Sequence, residues 1–327
     1  MSLPTYDGPT LTLVVNPTAG RGRARRMLPK VATELLTGMP GANLRVYQTS
    51  SFADARLRCI AAVEHARPPV AGHRPDSLLV MGGDGMMHLG LNAAAGTHVP
   101  LGLIPAGTGN DFCRGTGVPN DTMAATRTVV AGHTRRIDLM EAEGRLVDGA
   151  ERRWVGSIVS TGYDGRVNQR TNQFSWTLGG LSYAWAALAE LAVFEPLPYR
   201  LLVDGTPLEQ TAMFISVGNA GYFGGGMMGC PRADVTDGEL DLTIINPVSR
   251  MTLLRLLPRM YDGGFVHDPA VEQLRAREVV VDGDGLYAMA DGEELGPVPL
   301  RLRAVPHHLT IYTAPKASPA EGRPLTQ

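Results

Sequence analysis

Residues 78–88 read Leu-Leu-Val-Met-Gly-Gly-Asp-Gly-Met-Met-His. A run of four apolar residues has the length of a buried strand, the glycines after it make a corner, and residues 86–95 have the spacing of a helix. At such a corner no Cβ keeps backbone amides away from phosphate oxygens, and the following helix turns its positive end toward the same point. Strand-to-helix geometry alone gives an isolated Gly-Gly-Asp-Gly turn a reason to exist. Asp84 adds something geometry does not require: a carboxylate among amides, costly unless a donor or a cation such as Mg²⁺ compensates it.

The same alternation surrounds that corner. Residues 11–15, 44–47 and 101–104 read as strands, and 22–37 and 53–65 as helices, so the first 137 residues form a doubly wound α/β domain around a parallel sheet. The other strands end in Asn16-Pro17-Thr18-Ala19-Gly20-Arg21-Gly22, Thr49-Ser50-Ser51 and Ala106-Gly107-Thr108-Gly109-Asn110-Asp111. All four turns then share the carboxyl edge of one sheet, where open α/β sheets bind ligands. Arg21 is a candidate phosphate contact through its forked guanidinium. Arg23, Arg25 and Arg26 read as solvated surface, since successive helical residues point about 100° apart. Asn110 or Asp111 is expected to cap the next helix.

From residue 138 the pattern changes to closely spaced β-like segments: 154–161, 200–203, 213–217, 240–245, 278–281, 300–304 and 309–312. This half reads as a β-sandwich-like domain over 138–312, its C-terminal part free to return to the first domain, with helical interruptions near 178–194 and 249–261. Residues 313–327, rich in Pro, Ala and Gly, read as a disordered tail. A length of 327 residues favours two such domains with a cleft between them.

Composition narrows the partners. A hydrophobic content of 44%, a charged content of 19% and a formal charge of −2 give no polyanion-binding signal, so nucleic acid is not expected. Cys59, Cys113 and Cys230 are too far apart in sequence for a metal set or a disulfide framework, which fits a reducing cytoplasm. No apolar run reaches the roughly 20 residues that span a bilayer, so membrane contact is expected to be transient and peripheral.

Eight motifs in chain order resemble the diacylglycerol kinase catalytic family, which includes bacterial lipid kinases and sphingosine kinases. They are Asn16–Gly20, Thr49, Gly82–Gly85 with Met86-Met87-His88, Gly107–Asp111, Gly162-Tyr163-Asp164, Val217–Gly221, Asp237-Gly238-Glu239-Leu240-Asp241 and Asp291-Gly292-Glu293. The resemblance covers nearly the whole chain. It implies an ATP-binding α/β domain, a β-rich lipid-binding domain and a transferase that phosphorylates a lipid hydroxyl with ATP and Mg²⁺. By position, Asn16, Pro17, Thr18, Ala19, Gly20, Arg21, Thr49, Gly82, Gly83, Asp84, Gly85, Met86, Met87, His88 and Thr108 would contact ATP. Glu293 would be the catalytic base, with Asp84 organising Mg-ATP. Asp234, Asp237 and Glu239 would hold a second-domain Mg²⁺ through the Asp237 carboxylate and the other two carbonyls. Two positions depart from the family pattern: Met86 stands where bacterial members often have Thr, and Leu89 where a Glu commonly follows the His.

The residues carry some of this independently. In an extended segment after an apolar strand at 286–290, Glu293 and Glu294 face opposite sides, so only one can enter a cleft. His88 reads as a packing or polar-contact residue. Asp164 could face the cleft or a surface turn. Leu181, Trp185, Leu188 and Ala192 share one face of the 178–194 helix, which reads as core or as a lipid entry face. An NAD kinase shares the Gly-Gly-Asp-Gly turn, and a lipid-binding regulator without turnover would share the fold. A lipid substrate is the expected partner, and a homodimer is compatible with the chain.

Overall fold

The computed structural model describes residues 8–161 and 195–315. The Gly162-Tyr163-Asp164 motif, the 178–194 helix and most of the expected tail lie outside the described residues. Strands β1 (Thr10–Val15), β2 (Asn43–Gln48), β3 (Ser77–Gly82) and β4 (Leu101–Pro105) are parallel in the order β2-β1-β3-β4. β3 and β4 are buried along their whole length, whereas β2 at the edge is largely exposed. Burial on both faces explains why the central strands read as unbroken apolar runs.

Alternate strand residues serve opposite faces. Leu13, Val15, Leu79 and Met81 pack with Val31 and Leu35 of α1 (Ala19–Gly38) and Val129 of α5 (Thr122–Ala131). Val14, Leu78 and Val80 pack with Ala55 and Cys59 of α2 (Phe52–Glu64) and Met87 and Leu91 of α3 (Asp84–Ala94). Helices on both faces make this the expected doubly wound arrangement. α2 begins under a Ser51 hydroxyl that accepts from the Asp54 amide, and α5 under Asp121, which accepts from the Ala124 amide. α1 enters differently. Gly20, Arg21 and Gly22 have φ of 59°, 57° and 81°, so its first turn is a left-handed corner before the regular helix begins.

The sheet continues past β4. β18 (Leu300–Tyr312) runs parallel to β4 at Ile311 and Leu101, and pairs antiparallel with β5 (Thr134–Gly144) along most of its length. Beyond it lie β15 (Glu278–Asp282), β8 (Leu197–Val203) and β9 (Thr206–Ala212), while β6 (Arg152–Val155) pairs with β5. A boundary at 137/138 therefore falls inside β5. A second, antiparallel sheet has the order β14 (Val271–Ala276), β13 (Leu240–Ile245), β10 (Phe214–Gly218), β7 (Ile158–Thr161), β16 (Tyr287–Ala290), β17 (Glu293–Pro297). The two sheets close on a common core that includes Met140, Tyr199, Leu201, Ile215, Leu242 and Leu302. This is the β-sandwich-like second domain. β11 (Tyr222–Phe223) and β12 (Met227–Met228) form a small hairpin, and α6 (Arg250–Arg259) packs Leu253 and Leu256 beside Phe214 and Phe265.

Two segments differ from their sequence reading. Residues 154–161 are not one strand: β6 and β7 belong to different sheets, because the amides of Gly156 and Ser157 between them are taken by the Asp291 carboxylate. Residues 300–304 and 309–312 are one strand, with a register shift between Val305 and Leu309 and His307 at φ 53°.

Candidate active site

The glycine turns are packed against one another. A Cβ on Gly107 would lie 2.4 Å from the Gly83 Cα, and one on Gly20 would lie 2.1 Å from the Ala106 carbonyl oxygen. Only residues without side chains bring the ends of β1, β3 and β4 this close. Asp84 locks two of these turns together. Its Oδ2 accepts from the Asn110 amide at 2.8 Å, and its Oδ1 from the amides of Asp111 at 2.7 Å and Phe112 at 3.4 Å. These amides begin α4 (Asp111–Thr116), so the carboxylate at the start of α3 caps its neighbour. The expected local cap is therefore replaced. Asn110 occupies the N-cap position at φ 56° without capping, because its Oδ1 accepts from the Gly107 amide and its Nδ2 donates to Asn120.

Burial, and next the nearby Asp111 charge, push the Asp84 carboxyl up to about 6 against its three amide donors. Asp111 is raised for the same first reason, burial. Its Oδ2 accepts from the Gly225 amide at 2.8 Å, while its buried Oδ1 has no hydrogen-bond donor. Gly224, Gly225 and Gly226, at φ 61°, 86° and 110°, turn the β11–β12 hairpin onto this carboxylate.

The Asp291-Gly292-Glu293 motif closes the site from the second domain. Asp291 holds φ 51°, and its two carboxylate oxygens accept from Gly156 at 2.9 Å and Ser157 at 2.8 Å. His88 is buried behind it, with Nδ1 3.6 Å from Asp291 Oδ2. Glu293, the first residue of β17, is exposed, and its Oε1 lies 3.3 Å from the point a Cβ on Gly85 would occupy. Glu294 goes elsewhere: its Oε2 accepts from the Tyr287 hydroxyl at 3.4 Å.

At the turn beneath Glu293, the amides of Gly83, Asp84 and Gly85 have no acceptor among the described residues, because α3 begins there. Thr108 is exposed across from them, and Pro17, Ala19, Gly20 and Arg21 line the neighbouring corner with part or all of their surface open. Four expected contacts are committed to structure. Asn16 Oδ1 accepts from the Thr18 amide at 3.1 Å and its hydroxyl at 2.8 Å. The Thr49 hydroxyl is buried and donates to the Val15 carbonyl at 3.1 Å. Met86 and Met87 point into the core, and their amides donate to the Gly83 carbonyl, so neither offers a group to the open side of the turn. Arg23, read as solvated surface, instead donates from Nε to the Ala106 carbonyl at 3.2 Å and from Nη2 to that of Gly107. It ties α1 to the turn before α4.

The second-domain Mg²⁺ is expected at the Asp237 carboxylate and the carbonyls of Asp234 and Glu239; the Asp234 carbonyl accepts from the Asp237 amide at 3.3 Å. Asp234 Oδ1 is occupied by the Thr236 amide and hydroxyl. Asp237 and Glu239 both pair with the Arg275 guanidinium, the latter at 3.0 Å, and Asp241 lies 4.0 Å from its Nε. β13 and β14 set Asp241 directly opposite Arg275. A fixed cation therefore stands among these acids, and among the described residues no cluster of three His, Cys, Asp or Glu is placed to hold a metal. The Asp237 carboxylate, the side-chain ligand expected at the second-domain Mg²⁺ site, is thus engaged by Arg275.

Asp111, Asp291, Arg23 and the glycines at 224–226 are site groups that reading the sequence did not assign. Only Asp111 and Asp291 had a signal, as members of motifs; the others reach the site through contacts more than 80 residues apart in the chain.

Comparison with known proteins follows the same division. Residues 10–142 match the diacylglycerol kinase catalytic domain model, and residues 157–313 match the YegS C-terminal NAD kinase beta sandwich-like domain. A Mycobacterium tuberculosis protein named diacylglycerol kinase is 38% identical over 307 residues, spanning 92% of this chain and 94% of that one. A diacylglycerol kinase structure from Bacillus anthracis superposes with a TM-score of 0.69 at 21% identity, covering 95% of this chain and 99% of that one. The yeast NADH kinase complexed with NADH has a TM-score of 0.52 at 13% identity, covering 97% and 89%. The two structural likenesses establish a common fold.

Proposed function

The chain belongs to the diacylglycerol kinase family, and from that premise we propose that it transfers the γ-phosphate of ATP to a hydroxyl of a membrane-derived lipid, a diacylglycerol or a sphingoid base. The observation that carries this reading is the placement of the Glu293 carboxylate over Gly85, above amides that have no acceptor. Unpaired amides at a helix start suit phosphate oxygens, and a carboxylate beside them suits an acceptor hydroxyl. The amides of Gly83, Asp84 and Gly85, the corner at Pro17, Ala19, Gly20 and Arg21, and the Thr108 hydroxyl would hold the polyphosphate. Gly82 and Asn16 shape that corner through their backbones, and His88 and Asp291 set the height of Glu293.

Phosphoryl transfer demands positioning and charge neutralisation more than covalent help. The lipid oxygen forms a bond to the γ-phosphorus, the bond from that phosphorus to the β–γ bridging oxygen breaks, and the hydroxyl proton passes to Glu293. Glu294, held toward Tyr287, takes no part. The unpartnered Oδ1 of Asp111, next to Asp84, fits the Mg²⁺ that accompanies ATP, which would neutralise charge on the phosphates when bound.

No helix among the described residues is long and apolar enough to cross a membrane. The acceptor lipid would be met at a bilayer surface by a cytoplasmic enzyme.

The purified protein, given labelled ATP and Mg²⁺ with diacylglycerol, sphingosine or NAD in parallel, should place label in a chloroform-extractable lipid phosphate. Label in NADP alone would replace this reading with a soluble nucleotide kinase. Lipid and ATP binding without transfer would make the chain a regulator.

A further inference from the structure

The sequence of α6, Arg-Met-Thr-Leu-Leu-Arg-Leu-Leu-Pro-Arg, contains three arginines and no acid. At about 100° per residue, Leu253, Leu256, Leu257 and Met260 share the face turned to the domain. Leu253, Leu256 and Met260 are indeed buried there. The opposite face is not the polar surface an ordinary packed helix would show. Met251 is 72% exposed and Leu254 38% exposed, with Pro258 between them and Tyr261, 48% exposed, just beyond the helix end. Arg250 and Arg255 are exposed on either side of this apolar stripe, and neither has a carboxylate partner among the described residues. The nearest acids past the helix are occupied: Asp262 accepts from the Gly264 amide and Asp268 from the Ala270 amide.

This helix is joined to the site. The Met228 amide of β12 donates to the Met260 carbonyl at 2.7 Å, and Phe223 of β11 stacks on Phe214 with centroids 6.0 Å apart. The turn of the same hairpin carries Gly225, whose amide donates to Asp111. A surface engaging α6 thus lies one hairpin away from the carboxylates of the cleft.

We propose that the exposed face of α6 docks the protein onto an anionic lipid surface, with Met251, Leu254 and Tyr261 entering the interface and Arg250 and Arg255 pairing with headgroups. Apolar tips flanked by unpaired cations suit that surface and no apolar groove. The purpose of the docking rests on the lipid kinase reading, since it brings the cleft to the acceptor lipid; the binding itself does not.

The test is flotation of the full chain with vesicles of phosphatidylcholine, with and without phosphatidylglycerol. The wild type should partition to the anionic vesicles and be released by salt. Arg250→Gln with Arg255→Gln should weaken partitioning by roughly 30-fold, and Met251→Ser with Leu254→Ser by on the order of 10-fold or more. Because these residues are exposed, thermal stability should not move. Turnover of a short-chain diacylglycerol in detergent micelles should also persist in the variants. Equal vesicle binding by wild type and variants overturns the proposal. So does a change in self-association with unchanged vesicle binding, which would make the face a contact between copies. Anionic-vesicle binding that the variants lose, in a protein inactive on every lipid, would uphold the docking face and remove the kinase reading.

Discussion

Replacing Asp84 by Asn separates its two roles, because the structural cost and gain work against each other. In the ionised wild type the two oxygens accept from three backbone amides. An asparagine keeps one oxygen and turns a donor toward the remaining amide or amides, losing about 1.5–3 kcal/mol for a bond to a charged group. Against this, a carboxyl that titrates at about 6 in the fold and 3.8 when exposed costs about 3 kcal/mol when ionised at neutral pH. The terms nearly cancel, so at about pH 8 the variant should melt within a few degrees of the wild type. The folded pKa is raised; the stability attached to the proton is fully present below 3.8 and lost as pH rises through about 6. On lowering the pH from about 8 to 5 the wild type should therefore gain stability relative to Asp84→Asn, its Tm rising relative to that of the variant. Activity at neutral pH should fall by about 10²-fold or more, since the cleft loses its charge. Scanning fluorimetry across this pH range, beside a kinase assay, checks both. A Tm gap that stays constant with pH, or full activity with Mg-ATP saturating, would refute the reasoning.

Other outcomes are expected elsewhere. Asp291→Asn keeps a residue that tolerates φ 51° but weakens two charge-assisted bonds, to Gly156 and Ser157. It should cost about 2–4 kcal/mol and lower kcat by displacing Glu293, with ATP affinity unchanged by calorimetry; unchanged kcat would remove its positioning role. Arg275→Gln uncovers Asp237, Glu239 and Asp241. Arg275 is half-exposed, so the loss should be only about 1 kcal/mol, and millimolar Mg²⁺ should raise the Tm of the variant and not of the wild type. A Mg²⁺ shift in wild type that Asp237→Ala abolishes would place a metal there in spite of Arg275. Arg23→Ala should loosen the turn at Ala106 and Gly107 and raise the KM for ATP several-fold, while leaving the vesicle partitioning of the protein unchanged.

The first domain was legible because its information is local. Runs such as Leu78–Met81, buried on both faces and broken by glycine corners, mark strand, turn and helix without help from distant residues. The second domain was read as β-rich, but β5, β9, β14 and the β11–β12 hairpin were missed: their own apolar patterning is weak, β9 was passed over although it pairs with β8 across the local Asp204-Gly205 turn, and β5 pairs mainly with β18, more than 150 residues on. The break between β6 and β7 was invisible for the same reason: a carboxylate more than 130 residues away takes the two amides. At the site, sequence spacing separated Glu293 from Glu294, as the side chains in the fold diverge. It could not show that Asp84 would cap α4, that Arg23 would reach Gly107, or that Arg275 would stand among the acids proposed to bind a metal. Each of these depends on which strands lie side by side.

Measuring kcat and the ATP dissociation constant for Glu293→Gln and Glu294→Gln with a diacylglycerol acceptor tests the catalytic assignment most directly. Glu293→Gln should lose about 10²–10⁴ in kcat with ATP binding intact, as expected when a proton acceptor is removed, and Glu294→Gln should be nearly silent. Equal modest losses in the two variants, or an effect of Glu293→Gln confined to ATP affinity, would contradict a lipid kinase whose base is the carboxylate above Gly85.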